Sequence, residues 1–409
     1  MKSVVVIGGG AAGLMAAIRA AECGALVRLI EPNEKLGKKL NITGKGRCNV
    51  TNDTDLDGLM QNIPCNGKFL YSAFHQWMPQ DTMAFFEREG VPLKVERGNR
   101  VFPVSDSAFD ISDALKRCLK RLKVEWIHDR AGAILTGDGA VTAVEGERGI
   151  YPCEAAILAT GGVSYPLTGS TGDGYRMAGE LGHTIIEPKG SLVPLISPDA
   201  DCAAMQGLSL KNVELTAYNR KNKAIYREFG EMLFTHFGVS GPLVLSLSAH
   251  LRNWDKESYR LSIDLKPALD EQKLDARILR DIAENSNRDF EKIVAGLVNR
   301  SMVPVVLRRL ETPGMLKANS VTKEQRRALV QLLKHFEVAV SGPRGVAEAI
   351  VTSGGVKISE VEPQTMASKL MNGLYFAGEL LDVDAYTGGF NLQIAWATGR
   401  LAGQSAAEK

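Results

Sequence analysis

Val4-Val5-Val6-Ile7 is an unbroken apolar run of strand length, and Ala11 to Cys23 has the Ala-, Leu- and Met-rich composition of a buried helix. A second apolar run, Leu26-Val27-Arg28-Leu29-Ile30, ends at Glu31. Together they predict a β-α-β unit of about thirty residues, the size such a crossover needs. Residues 53 to 120 read as mixed and mainly helical, with a turn at Arg97-Gly98-Asn99-Arg100. Between Val124 and Val144, short strand-like pieces flank Asp138-Gly139, a hairpin signal. Ala155-Ala156-Ile157-Leu158-Ala159 reads as a further buried strand of the parallel sheet.

From about Ser191 to Asp264 the pattern turns β-rich, with alternating segments such as Val213 to Tyr218 and Tyr259 to Ile263. Helical spacing replaces it over Ala276 to Glu284, Phe290 to Val298, Val303 to Leu310 and Lys323 to Phe336. This predicts a helical module inserted into the β-rich part. From Gly373 onward the chain returns to strand, Leu374-Tyr375-Phe376-Ala377, then glycine turn and helix. A last strand resembling those of the first sheet implies a discontinuous domain built from both chain ends. No internal repeat and no low-complexity linker interrupts this order.

Composition narrows the classes. A chain of 409 residues exceeds what one hydrophobic core usually supports, which predicts two or three domains. With 44% hydrophobic and 23% charged residues it reads as globular, and a net charge of +2 leaves only local charge informative. The six cysteines form no Cys-x-x-Cys pair, which argues against a zinc ribbon and a disulfide reductase and predicts a reducing, cytoplasmic setting. The start of the chain imitates a signal peptide, but its glycine spacing argues otherwise. The uncharged stretches at 155–172 and 233–251 carry too much Gly, Pro, Ser or His for a membrane helix, so no span is predicted. The six histidines show no ligand spacing, and no metal is predicted.

Gly8-x-Gly10-x-x-Gly13 is weak alone, but here it follows a strand, opens a helix and precedes Glu31 at the end of the second strand. Gly8 permits the turn, Gly10 lets backbone approach a diphosphate, and Gly13 lets helix and strand pack closely. The helix N-terminus, with Ala12 in its first turn, supplies free N–H groups for phosphate, and Glu31 would accept hydrogen bonds from a ribose. The plainer alternative is a glycine turn packing the unit without ligand. FAD and NAD both use such a turn. Two further strand ends, Ala159-Thr160-Gly161-Gly162 and Tyr375-Phe376-Ala377-Gly378-Glu379, carry glycines where side chains would block a flat ring or ribityl chain. Gly388-Gly389-Phe390-Asn391-Leu392 then opens a helix whose N-terminus suits the negative charge of a reduced flavin. These favour FAD.

Four longer motifs carry a resemblance: Gly37 to Asn52 (GKKLNITGKGRCNVTN), Gly98 to Pro103 (GNRVFP), Leu233 to Pro242 (LFTHFGVSGP) and Val351 to Val356 (VTSGGV). Over essentially its whole length the chain resembles the BaiN-like family of bacterial FAD proteins. That family includes the aminoacetone oxidases and carries the label NAD(P)/FAD-dependent oxidoreductase. The resemblance implies an α/β fold in three parts: a discontinuous Rossmann-like FAD-binding domain over 1–188 and 352–409, a β-rich substrate domain over 189–265 and 336–351, and an inserted helical domain over 266–335. It also implies that Gly46, Arg47, Cys48 and Asn49 lie along the cofactor, and Ala131 joins the expected binding set. The loop itself holds Lys35, Lys38, Lys39, Lys45 and Arg47, which suits an anionic ligand, although a solvated basic loop reads the same way. Thr171-Gly172-Asp173-Gly174 resembles a segment of fumarate-reductase-type flavoproteins, with Asp173 either capping its helix or touching ligand.

A flavin carries the redox chemistry, leaving the protein to place a substrate carbon and supply a proton. No second strand-Gly-x-Gly-x-x-Gly unit is present, so NAD(P)H is expected as a transient reductant, with oxygen as the alternative redox partner. Tyr165, His236 and Tyr386 are the candidate proton carriers, each with a plainer packing role open to it. Cys48 reads as a packing residue rather than a redox thiol. The leading expectation is an enzyme reducing a carbonyl-conjugated C=C in a small molecule of 3-oxo-Δ4 steroid or bile-acid type. Reduction of uridine to dihydrouridine in ribosomal RNA and oxygen-dependent amine oxidation are the alternatives. Between Lys292 and Arg344, ten Lys or Arg residues stand against Glu311, Glu324 and Glu337, which permits either RNA phosphate contact or a merely solvated face. Few aromatics interleave those charges, so base stacking is not expected there.

Overall fold

The computed structural model describes residues 1–251 and 254–408. The chain forms two compact units, Met1–Ser191 with Val346–Lys409, and Leu192–Gly345.

The first unit is built on five parallel strands: β1 Ser3–Ile7, β2 Leu26–Ile30, β3 Glu125–Ile127, β4 Ala155–Leu158 and β5 Leu374–Phe376. They lie in the order β5-β4-β1-β2-β3, with β1 central. The apolar run of β1 is what two covered faces require, and Val4, Val5 and Val6 are fully buried. Helix α1, Ala11–Glu22, makes the crossover from β1 to β2. The chain then returns to the opposite side of β1 as β4, so the strand order reverses beside β1. At such a switch point the loops leaving the carboxyl ends of adjacent strands part and leave a crevice.

The C-terminal helix α2, Phe390–Ala407, packs along α1, and Gly399 and Gly403 face the carbonyl oxygens of Ala12 and Ala16. The Asp138-Gly139 turn joins Ala131–Gly137 to Ala140–Gly146 as a hairpin, both turn residues having positive φ. The 53–120 region is mainly helical, and its Arg97–Arg100 turn links the antiparallel strands Leu93–Glu96 and Arg100–Pro103. The pattern did not announce the pair Ile185–Ser191 with Val351–Val356, which lies in this unit.

The second unit centres on a seven-stranded sheet whose longest hairpin is Ser209–Asn219 with Ala224–Thr235. Helices Glu271–Glu284, Phe290–Ala295, Val303–Arg309 and Lys323–Lys334 share one core with it, through Ile278, Val294, Val306, Leu329 and Phe336 among others. The first of these starts earlier than the apolar spacing indicates, because the Asp270 carboxylate caps it by accepting from Lys273 N–H. Among the described residues, no helix is long and apolar enough to cross a membrane.

Candidate active site

The crevice at the switch point is a cleft of about 1110 Å³, its open mouth included, lined entirely by the first unit. Its floor is made of the carboxyl ends of the strands: Gly8 to Ala12 after β1, Glu31 after β2, Ala159 to Gly161 after β4, and Ala377 with Glu379 after β5. The left-handed φ of Gly8 (108°) makes the turn, and a side chain there would strike the Ala159 carbonyl of the neighbouring strand end. A Cβ on Gly13 would collide with the Gly8 carbonyl, so this glycine serves the helix–strand contact and not the lining. At Gly10 a Cβ would meet nothing within 4 Å, because that position faces the cleft. Among the described residues no side chain caps α1, and its first turn holds no acid, so its N–H groups and positive dipole end are presented to the cleft.

Glu31 is buried at the other end of this floor. One carboxylate oxygen accepts from Gly9 N–H (2.7 Å) and the other from the backbone and side chain of Asn33 (2.9 and 2.6 Å). These contacts fill three of the roughly four acceptor directions of a carboxylate and leave room for a ligand hydroxyl. Asn33 also donates to Thr168 O, tying the two loops together.

A knot of polar side chains closes the inner wall. The Glu379 carboxylate accepts from Lys39 Nζ (2.6 Å), Thr352 N–H (2.8 Å) and Ser164 Oγ (3.0 Å), while Lys39 Nζ also donates to Ser164 Oγ (2.8 Å). Thr352 Oγ1 accepts from Val163 and Ser164 N–H. Burial pushes the Glu379 carboxyl up, but the Lys39 charge and the donated hydrogen bonds outweigh it and hold the group below its usual range. Gly162, expected to clear space for a ring, clears space for this knot instead: a Cβ there would collide with Thr352 Oγ1.

Of the expected binding residues, Gly8, Gly10, Ala12, Glu31, Lys39, Thr160, Gly161, Glu379, Asn391 and Leu392 line the cleft. Gly46, Arg47, Cys48, Asn49, Ala131, Gly162, Gly378 and Gly389 are not among its lining residues. Arg47 turns its guanidinium to Glu96 (2.5 Å) and Asp106 (2.6 Å) and stacks on Phe102. Cys48 is fully buried, and desolvation pushes its thiol up to about 12, which keeps it protonated. Asn49 is a different case, because its Oδ1 is buried without a partner among the described residues. Ala131 opens its hairpin strand, Gly378 N–H donates to Thr398, and Gly389 caps α2 against the Thr51 backbone. Asn391 clamps the approach to α2 through both polar atoms on Ala385 and a bond to Tyr386 O. Asp173 stands inside its helix and pairs with Arg130 rather than capping.

Tyr165 lies at the start of the 165–169 turn in left-handed backbone, its ring 5.9 Å from Lys39 Nζ. Tyr386 uses its N–H on Asn62 O. His236 belongs to the second unit, where its ring meets Phe237 edge-on. Sequence reasoning passed over Asn33, Ser164 and Ser170 as site residues and held Thr352 only as part of the Val351 to Val356 motif; the partners of Asn33, Ser164 and Thr352 are set only by the fold, and Ser170 joins the lining.

The residues present fit a dinucleotide. An uncapped, acid-free helix N-terminus faces the cleft, Glu31 keeps an acceptor direction, and Thr160 Oγ1 in the lining is buried without a partner among the described residues. This fold and site define an FAD-dependent oxidoreductase of Rossmann architecture. The family model described as HI0933-like protein Rossmann domain matches residues 2–405, and the chain belongs to that family. A 3-dehydro-bile acid delta(4,6)-reductase of Clostridium scindens is 31% identical over 416 residues, covering 100% of both chains. The ribosomal RNA dihydrouridine synthase of Escherichia coli is 31% identical over 409 residues, covering 96% of this chain and 95% of that protein. Among solved structures, a 3-ketosteroid-delta4-(5alpha)-dehydrogenase from Rhodococcus jostii aligns with a TM-score of 0.50 at 15% identity, over 100% of this chain and 97% of that one, a likeness of fold.

Proposed function

We propose that the protein catalyses NAD(P)H-driven reduction of a C=C bond conjugated to a carbonyl, with 3-oxo-Δ4 steroids or bile acids as the substrate class. One observation carries the reading. Relatives of nearly full length are named for a bile acid delta(4,6)-reductase and for dihydrouridine synthases, and both names describe saturation of a ring double bond polarised by a carbonyl.

Bound FAD supplies the two-electron hydride chemistry. The backbone of Gly8 to Ala12 holds its diphosphate against the α1 N-terminus, Glu31 takes the ribose, and Thr160, Gly161 and the opening of α2 enclose the remainder. Gly46 to Asn49 support the cleft from the loop that carries Lys39. Tyr165 delivers the proton that completes the α-carbon, from a turn pinned by the Ser164 bonds. NAD(P)H docks transiently, since the sequence holds a single Gly-x-Gly-x-x-Gly unit.

A second reading, reduction of uridine in ribosomal RNA, rests on the dihydrouridine synthase relatives and on exposed Lys292, Arg300, Lys323 and Arg327, which have no ion pair among the described residues. Five of the other six cations are spent locally: Arg308 and Arg309 pair with Asp199 and Asp201, Lys317 with Asp289, Arg326 with Asp275 and Lys334 with Asp264, while Arg344 stacks over Phe237. This neutralisation favours the small-molecule reading.

The separating experiment uses purified yellow protein, reduced anaerobically by NAD(P)H and offered a 3-oxo-Δ4 steroid, beside a dihydrouridine analysis of ribosomal RNA from a deletion strain. Reoxidation by the steroid with intact dihydrouridine supports the first reading. Lost dihydrouridine without steroid turnover supports the second. Rapid bleaching by aminoacetone with peroxide release would replace both with an oxidase.

A further inference from the structure

The lysines around the cleft differ sharply in setting. Lys35 and Lys38 are exposed at the rim, whereas Lys39 is largely buried, its side chain 22% exposed. An ammonium has three donors, and Lys39 spends two of them on Glu379 and Ser164. The third has no hydrogen-bond partner among the described residues, although the side chain belongs to the cleft wall.

Glu379 is fixed just as firmly, by Thr352 N–H and the Ser164 hydroxyl in addition to Lys39. Four separate chain segments, the strand Val351–Val356 among them, therefore converge on one ion pair, and a side chain at Gly162 would disrupt it. A pair braced in this way holds its charges in place without relying on solvent, so each charge is felt strongly across the cleft.

We propose that Lys39 is the positioning cation of the flavin site, held by Glu379 and Ser164 so that its charge tunes the reduction potential of the bound cofactor. The proposal rests on the reading of the cleft as the FAD site. Two electrons taken up with a single proton add net negative charge to the cofactor. A fixed cation in the cleft wall favours that reduced form, and the Glu379 carboxylate moderates the effect. The network thus sets how readily the site accepts reducing equivalents, and the Tyr165 turn is anchored to the same knot through Ser164.

The test is the midpoint potential of bound FAD, measured by dye-coupled reductive titration in wild type, Lys39→Met, Lys39→Arg and Glu379→Gln, with FAD affinity determined separately. Lys39→Met is expected to weaken the preference for reduced over oxidised FAD tenfold or more, a fall of about 30 mV for a two-electron couple. Lys39→Arg should restore most of it, and Glu379→Gln should shift the potential upward. A merely structural role would alter affinity or stability without these opposed shifts. If Lys39→Met does not retain FAD, Glu379→Gln and Lys39→Arg decide: an upward shift in the first with a near-native potential in the second supports the proposal. Unchanged potentials in flavin-loaded Lys39→Met or Glu379→Gln would overturn it. Protein that never binds FAD would instead defeat the reading of the cleft.

Discussion

Gly399 of the C-terminal helix lies so close to Ala12 of the first helix that any side chain at 399 would run into the Ala12 carbonyl. Gly403 repeats the relationship one turn later against Ala16. Because Ala12 belongs to the turn that lines the cleft, the two chain ends meet at the base of the site. Gly399→Val should cost about 1–3 kcal/mol through overpacking and displaced backbone. Urea unfolding and FAD affinity should both register it, and a variant with native stability and affinity would show that the helices have room to separate.

Gln393 provides a second structural test. Its buried amide oxygen accepts from Thr51 and Thr82 hydroxyls at 2.7 and 2.9 Å, and its Nε2 donates to Trp77 O at 2.9 Å. Gln393→Leu keeps the volume but strands these partners, at a cost of about 1–3 kcal/mol for each group left unsatisfied. A clear fall in Tm is expected, whereas an unchanged Tm would mean that the three groups find other partners.

The Glu379 carboxyl, held low by Lys39 despite its burial, makes a signed contribution to the pH dependence. A carboxyl whose folded pKa lies below its unfolded value of about 4.3 adds stability above that pH and loses it as pH falls through the folded pKa. Wild type should therefore lose stability below about pH 4 more steeply than Glu379→Gln. Parallel pH–stability curves would contradict the direction of the shift.

Tyr165→Phe separates proton delivery from electron supply. Bleaching of the bound flavin by NAD(P)H should proceed normally, while reduction of the C=C substrate slows by about 10²–10⁴-fold. Stopped-flow measurement of the two half-reactions distinguishes them. Equal slowing of both would remove the tyrosine from the proton step.

Much of the cofactor unit was legible in the sequence because its signals are local. The β1 run, Gly8-x-Gly10-x-x-Gly13 and Glu31 fall within one β-α-β unit, and each constrains the next through period and turn chemistry. The pair Ile185–Ser191 with Val351–Val356 escaped notice because Pro188 and the glycines 354 and 355 disguise its short strands. The Lys39–Glu379 bond spans 340 positions, and nothing in either segment names the other. Gly162 was legible as a glycine with a purpose, but its purpose depends on Thr352, a residue brought there only by folding. The basic stretch at 292–344 showed only part of its charge balance in the sequence. Its charges are real, but the carboxylates that answer them, Asp199, Asp201, Asp264, Asp275 and Asp289, lie outside that window.

The most direct measurement is anaerobic stopped-flow reoxidation of the NAD(P)H-reduced, FAD-loaded protein by a 3-oxo-Δ4 bile acid. Rapid return of the oxidised flavin spectrum, with one saturated product formed per flavin, is the expected result. Flavin that stays reduced in the presence of the enone, but reoxidises at once in air, would contradict the proposed reductase.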